Sequence, residues 1–339
     1  MSITLAIVIF ITSAVIIVFA GTALTKKADQ LADKTGLGEA LVGAVFLGAV
    51  TSIAGIITSI VAAYSNHPQL AISNAIGGIA AQTIFLCVAD VTYRKINLEH
   101  AAASLANLMQ GVLLIGLLSL VMAGVVSTEF TLFNIHPISY MIVLAYIFGA
   151  RLISVSKDKQ QWSPKKTSST VEDDPESVDT EQIRLKPLVL KFVVLSLLVG
   201  GSGYAIAVSG IAIAESTNLS EGFVGSIFTA VATSLPELIV TITAVRQKAL
   251  TLAIGNIIGG NSFDVLFIAF SDIAYQKGSI LHHITQEQTY LVSLTMIMVS
   301  ILIMGLLHRQ RKGIANIGWE SLMIIVVYLL GNGLLYYMY

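Results

Sequence analysis

Glu237 and Asp264 are carboxylates embedded in long apolar stretches of a 339-residue chain, each surrounded by oxygen donors. Glu237 follows Ala232-Thr233-Ser234-Leu235-Pro236. Proline lacks a backbone N–H and disturbs the helical turn before it. In lipid such a break is tolerated where the freed carbonyls face a cavity or an ion. Ser234 and Glu237 are three residues apart, on one helical face. They offer a hydroxyl, a carboxylate and nearby carbonyls, the hard oxygen ligands that Na⁺ and Ca²⁺ take. Asp264 closes the run Gly-Asn-Ile-Ile-Gly-Gly-Asn-Ser-Phe-Asp over 255–264. There Asn256, Gly260 and Asp264 recur every four residues, and Asn261 lies one turn before the acid. Close helix packing explains Gly255 and Gly259, but it does not account for Asp264. An acid in mid-membrane is costly enough that a site is the expectation. The plainer reading, a kinked helix whose Glu bonds a neighbour, is the weaker one.

These two segments belong to one half of an internal repeat. With a constant offset of 182, residues 35–93 align with 217–275 without a gap, and about 21 of the 59 positions are identical. Thr51 and Ser52 fall on Thr233 and Ser234, and Asn74, Gly77 and Gly78 on Asn256, Gly259 and Gly260. The carboxylates do not repeat: Gly55 faces Glu237, and Gln82 faces Asp264. The first copy keeps Ser52, Asn74 and Gln82 as neutral donors. Repeats in a membrane chain point to a secondary transporter with its site at the repeat interface.

Hydrophobic residues make up 55% of the chain and charged residues 12%, about half the charge of an ordinary soluble domain. Ten apolar runs are long enough to cross a bilayer, near 3–22, 38–64, 68–92, 101–126, 135–155, 187–213, 218–245, 249–274, 288–307 and 317–338. Of the 19 Lys and Arg residues, only Lys277 lies outside the connections after the odd-numbered runs. The positive-inside rule therefore expects those connections in the cytoplasm and both termini outside. The expected architecture is an all-α membrane protein of ten transmembrane helices. It comprises a five-span half over 1–155, a flexible polar linker over 156–186, and a second five-span half over 187–339. Five is odd, so the halves are inverted relative to each other. The expected setting is a bacterial inner or plasma membrane, and a net charge of −1 gives no sign of a nucleic-acid partner.

The remaining chemical candidates carry plainer expectations. Asp90 and Asp272 lie eight residues beyond Gln82 and Asp264, ~12 Å along a helix. That places them near span ends, held by Arg94 or a neighbouring span or serving ion entry. Inverted topology sends them to opposite faces, which argues against an intramembrane enzyme using them as an acid pair. Acidic Asp173 and Asp174 fit no EF-hand spacing. Cys87 is expected to be a small buried residue, and His282 and His283 to be loop residues without a zinc-ligand pattern.

The two motifs, their order, the inverted halves and the central linker resemble the cation/calcium exchanger superfamily, which includes the sodium/calcium exchangers. Its signature in each repeat is Thr-Ser-Leu-Pro-Glu followed by Gly-Asn-x-Ile-Gly-Ser-Asn. The resemblance implies a secondary antiporter that exchanges Ca²⁺ or a similar divalent cation for Na⁺ or H⁺ by alternating access. The cations are its substrates and the lipid bilayer its setting; no cofactor is expected. It implies Glu237, Asp264, Ser234, Thr233, Asn261, Ser52, Thr51 and Gln82 as ion ligands. Gly55, Gly78 and Gly260 stand where the family carries Glu, Ser and Ser. A degenerate, non-transporting scaffold or sensor is the competing expectation.

Overall fold

The computed structural model describes residues 1–35, 40–93, 96–128, 130–158, 163, 165, 184–311 and 318–338, with the side chains of 40–45, 157 and 158 excepted. Nine helices among them are long and apolar enough to cross a membrane. They are span 1 (Ile3–Thr35), span 3 (Pro68–Thr92), span 4 (Leu105–Val125), span 5 (Pro137–Ser156), span 6 (Leu185–Ser216), span 7 (Glu221–Arg246), span 8 (Leu250–Ala274), span 9 (Gln286–His308) and span 10 (Trp319–Met338). The remaining apolar run, span 2, is two helices, Ala40–Thr51 and Ile53–Tyr64, hinged at Ser52. The fold is thus the expected two inverted five-helix repeats, with two departures. Span 1 runs on to Thr35 instead of stopping near residue 22. The expected linker 156–186 falls almost wholly outside the described residues, as does Arg94.

Local chemistry sets the helix ends. Ser104 and Ser220 accept from the backbone N–H of Asn107 and Phe223, at 3.1 and 3.0 Å, and so start span 4 and span 7. Pro68 opens span 3, where a missing N–H costs nothing. Arg309 ends span 9 in the left-handed region, with φ 55°.

Side-chain size then decides which helices lie at the centre. Span 3 has 89% and span 8 72% of its apolar window buried, against 22% for span 1 and span 5. Phe19, Phe148 and Leu197 point outward from the outer helices, as lipid-facing residues do. Gly77 lets span 3 lie against the backbone of Ser226. That close approach falls in a π-helical turn, Val224–Thr229, at the start of span 7. Likewise Gly203 of span 6 lies over the carbonyl of Ala54, where a Cβ would come within 2.6 Å. The polar motifs of both repeats are therefore pressed together in the middle of the molecule.

Candidate functional site

The hinge of span 2, the middle of span 3, the Pro236 segment of span 7 and the middle of span 8 meet around a small cleft. It is lined by Ser52, Gly55, Asn74, Gly78, Gln82, Thr233, Ser234, Glu237, Asp264 and Phe267. Asp264, 2% exposed, accepts from Ser52 Oγ at 2.7 Å on one oxygen and from Gln82 Nε2 at 2.6 Å on the other. Gln82 Nε2 also reaches Ser234 Oγ at 3.4 Å. Both hydrogen bonds to the Asp264 carboxylate thus cross from the second repeat to the first. The Oε2 of Glu237 and the Oε1 of Gln82 are buried without a hydrogen-bond partner. Glu237 and Gln82 thus place acceptors lacking donors beside the Asp264 carboxylate, and a cation supplies what such acceptors lack.

Asn74 fixes the shape of this cleft. Its Nδ2 donates to the Gly55 carbonyl at 3.2 Å and to Ser59 Oγ at 2.9 Å, while its Oδ1 accepts from Thr229 Oγ1 at 2.7 Å. It therefore ties span 3 to span 2 and to the π-helical turn of span 7. Its repeat counterpart Asn256 is exposed and does not line the cleft, so the polar stripe of span 8 enters it only at Asp264.

Of the eight residues singled out as ligands, the structure brings six to the cleft: Ser52, Gln82, Thr233, Ser234, Glu237 and Asp264. Thr51 turns its hydroxyl back to the carbonyls of Leu47 and Gly48, at 3.0 and 3.1 Å. Asn261 points instead at Thr83, donating to its Oγ1 at 3.2 Å. Phe267 was not foreseen. Its ring fills the space beside Gly55, where a Cβ would lie 2.7 Å from Cε2. A bulky residue one turn beyond Asp264 and a glycine in place of the family Glu were the available signs.

Asp90 and Asp272 lie far from the cleft at equivalent places. Asp90 accepts from the backbone N–H of Leu98 at 2.8 Å and of Gly318 at 3.3 Å, and from Ser321 Oγ at 3.1 Å. Asp272 accepts from the N–H of Ile280 at 2.7 Å and of His136 at 2.8 Å, and from Ser139 Oγ at 2.6 Å. Ser279 Oγ adds a fourth donor to Asp272, at 2.7 Å. The donors obey the same offset of 182, so the repeat extends beyond residues 35–93 and 217–275. Both aspartates organise connections by satisfying backbone donors. Cys87 is buried and unbonded to another cysteine. Among the described residues, no group of three or more His, Cys, Asp or Glu side chains is arranged to hold a metal ion.

Comparison with known proteins agrees with this architecture. An uncharacterised membrane protein of Methanocaldococcus jannaschii is 23% identical over 303 residues, 89% of this chain and 88% of the relative. The sodium/calcium exchanger MaX1 of Methanosarcina acetivorans is 28% identical over 141 residues, 41% of this chain and 38% of that protein. The solved H⁺/Ca²⁺ exchanger CAX shares the fold with a TM-score of 0.71 at 16% identity, over 98% of this chain and 86% of that one. The sodium-calcium exchanger NCX_Mj does so with a TM-score of 0.55 at 18% identity, over 98% and 100%. Residues 5–163 and 187–337 match the family model described as sodium/calcium exchanger protein, and the chain belongs to that family.

Proposed function

We propose that this protein exchanges one divalent cation, Ca²⁺ or a similar ion, for about two Na⁺ or H⁺ by alternating access. Glu237 and Asp264 are its charged ligands, and Ser52, Gln82, Ser234 and Thr233 its neutral ones. The supporting observation is the convergence of two carboxylates, both from the second repeat, on a cleft whose first-repeat wall carries only neutral groups. Charge left uncompensated in a low-dielectric interior is costly. Two carboxylates match one divalent or two monovalent ions, so the cycle moves little net charge. The family and the exchangers sharing its fold carry cations of these kinds in their names. The Lys and Arg pattern supports cytoplasmic odd connections and outward termini.

Purified protein in liposomes tests the reading. Ca²⁺ uptake should be driven by an opposing Na⁺ or H⁺ gradient and be nearly insensitive to a potential clamped with potassium and valinomycin. Flux that rises steeply with the imposed potential rules out the electroneutral cycle. The Phe267 ring beside Gly55 favours a second reading, a cation-binding sensor that does not transport. Ca²⁺ binding without flux under any gradient would establish it.

A further inference from the structure

The two ends of the molecule share a framework but differ in what fills it. The offset of 182 places Glu99 opposite Leu281, Glu320 opposite Ile138 and Asn97 opposite Ser279. At the Asp272 end one carboxylate sits among four donors. At the Asp90 end three carboxyl groups, Asp90, Glu99 and Glu320, are each fully buried.

The hydrogen count at this end does not close without added protons. Ser321 Oγ lies 3.1 Å from Asp90 Oδ2 and 3.4 Å from Glu99 Oε1. A serine hydroxyl has one hydrogen. Asp90 is already supplied by two backbone N–H groups, as a carboxylate would be. If Ser321 donates to Asp90, it must accept from Glu99, and a carboxyl donates only when protonated. If it donates to Glu99, Asp90 and Ser321 meet as two acceptors. Either way one proton belongs in the chain Asp90–Ser321–Glu99.

The side chain of Asn97 makes the same demand independently. It is 2% exposed, and its Nδ2 donates to Glu320 Oε1. Its Oδ1, Glu320 Oε2 and Glu99 Oε2 are all buried acceptors without a partner. A proton on Glu320 Oε2 supplies a donor where the surrounding atoms are all acceptors.

Among the described residues, the other titratable and charged groups near the cluster are Cys87 on span 3, and His100, Arg309 and Arg311 at its edge. His100 Nδ1 meets the Arg309 carbonyl at 2.6 Å, and Arg309 Nη2 donates to the His100 carbonyl at 3.1 Å. Asn97 N donates to the Arg311 carbonyl at 3.2 Å. Burial, with Asp90 and Glu320 beside it, pushes the Glu99 carboxyl well above the usual carboxylate range.

We propose that Asp90, Glu99 and Glu320 form a proton-binding centre separate from the central cleft. Glu99 carries a proton toward Ser321 and Asp90, and Glu320 carries another toward Asn97. The ligand is the proton itself, taken up and released at the end where the charge pattern expects the cytoplasm.

Infrared difference spectroscopy of the purified full-length protein across a pH series tests this through the carbonyl band of protonated carboxyls. The band should persist at neutral pH in the Glu237→Gln/Asp264→Asn double variant, lose intensity with Glu99→Gln, and lose more with Glu320→Gln added. Ser321→Ala, which removes only a hydroxyl, should shift the Glu99 component and its titration midpoint; it serves as the test if the glutamate variants fail to fold. An unchanged band in these variants overturns the proposal. So does a band erased by Ca²⁺ in the Glu237→Gln/Asp264→Asn background, which would make the cluster a divalent-cation site. Flux is not the readout, so the result stands apart from whether the protein exchanges ions.

Discussion

Gly55 and Phe267 are complementary: the ring stands where a side chain at position 55 would begin, 2.7 Å from its Cβ. The ring is braced from behind. Phe267 packs edge-on against Phe263 at 6.4 Å, and Phe263 against Tyr146 at 5.8 Å. Gly55→Glu should therefore overpack the cleft and cost about 1–3 kcal/mol, seen as a lowered melting temperature and lost flux. Gly55→Glu with Phe267→Ala should recover folding and add a carboxylate to the site. Flux by that double variant should acquire dependence on membrane potential. Full wild-type stability of Gly55→Glu alone would show that the ring moves freely.

Glu237→Gln and Asp264→Asn should abolish exchange while the protein still folds, because each isostere removes only charge. Asp90→Asn should act differently. Each Asp90 oxygen accepts a backbone N–H, so an amide at this position must turn its own NH₂ toward one of those donors. The expected loss is about 1–3 kcal/mol of stability, with flux per folded molecule near wild type. Asp272→Asn should behave alike. Equal and severe flux losses in Asp90→Asn and Asp264→Asn would make Asp90 part of the transport site.

Gly78 and Gly260 have room for a side chain. A Cβ at Gly78 would lie 3.5 Å from Ser234 Oγ, and one at Gly260 3.6 Å from Gln82 Oε1, both ordinary contact distances. Gly260→Ser should fold and place a further hydroxyl beside Asp264. Ion competition in transport assays should then shift the Ca²⁺-to-Na⁺ preference several-fold. An unaltered preference would place the bound ion away from span 8.

The raised pKa of Glu99 fixes the sign of a pH effect. The folded state prefers the protonated group, so its stabilisation is fully present below the ordinary value of 4.5. It is lost as pH rises through the folded-state value. Wild-type melting temperature should fall as pH is raised from about 4.5 upward, and Glu99→Gln should flatten that slope. A slope unchanged in the variant would assign the effect to other groups.

Composition and the charge alternation were enough to expect a membrane protein of ten spans, because both follow from bilayer physics. The offset of 182 made the inverted halves legible over 35–93. Beyond that it persists in Ser139, Met141, Ile142, Tyr146 and Gly149, which match Ser321, Met323, Ile324, Tyr328 and Gly331, and in hydrogen bonds where Leu98 matches Ile280 and Gly318 matches His136. A backbone N–H donates whatever side chain it bears, so the equivalence survives without identity. Thr51 and Asn261 lie one residue before Ser52 and one turn before Asp264, yet helical rotation turns one to its own backbone and the other to Thr83. The hinge at Ser52 carries no proline and left no mark in the sequence. Phe267 was hidden because its role depends on a glycine more than two hundred residues away.

The crosswise pairing of the two aspartates has a consequence for biosynthesis. Asp272 finds His136 and Ser139 already made when it emerges from the ribosome. Asp90 emerges early, yet two of its donors are made much later: Gly318, just before span 10, and Ser321, in its first turn. Until those residues are made, Asp90 is short of two of its donors. Docking of span 10 therefore completes the donor set of an acid made more than two hundred residues earlier.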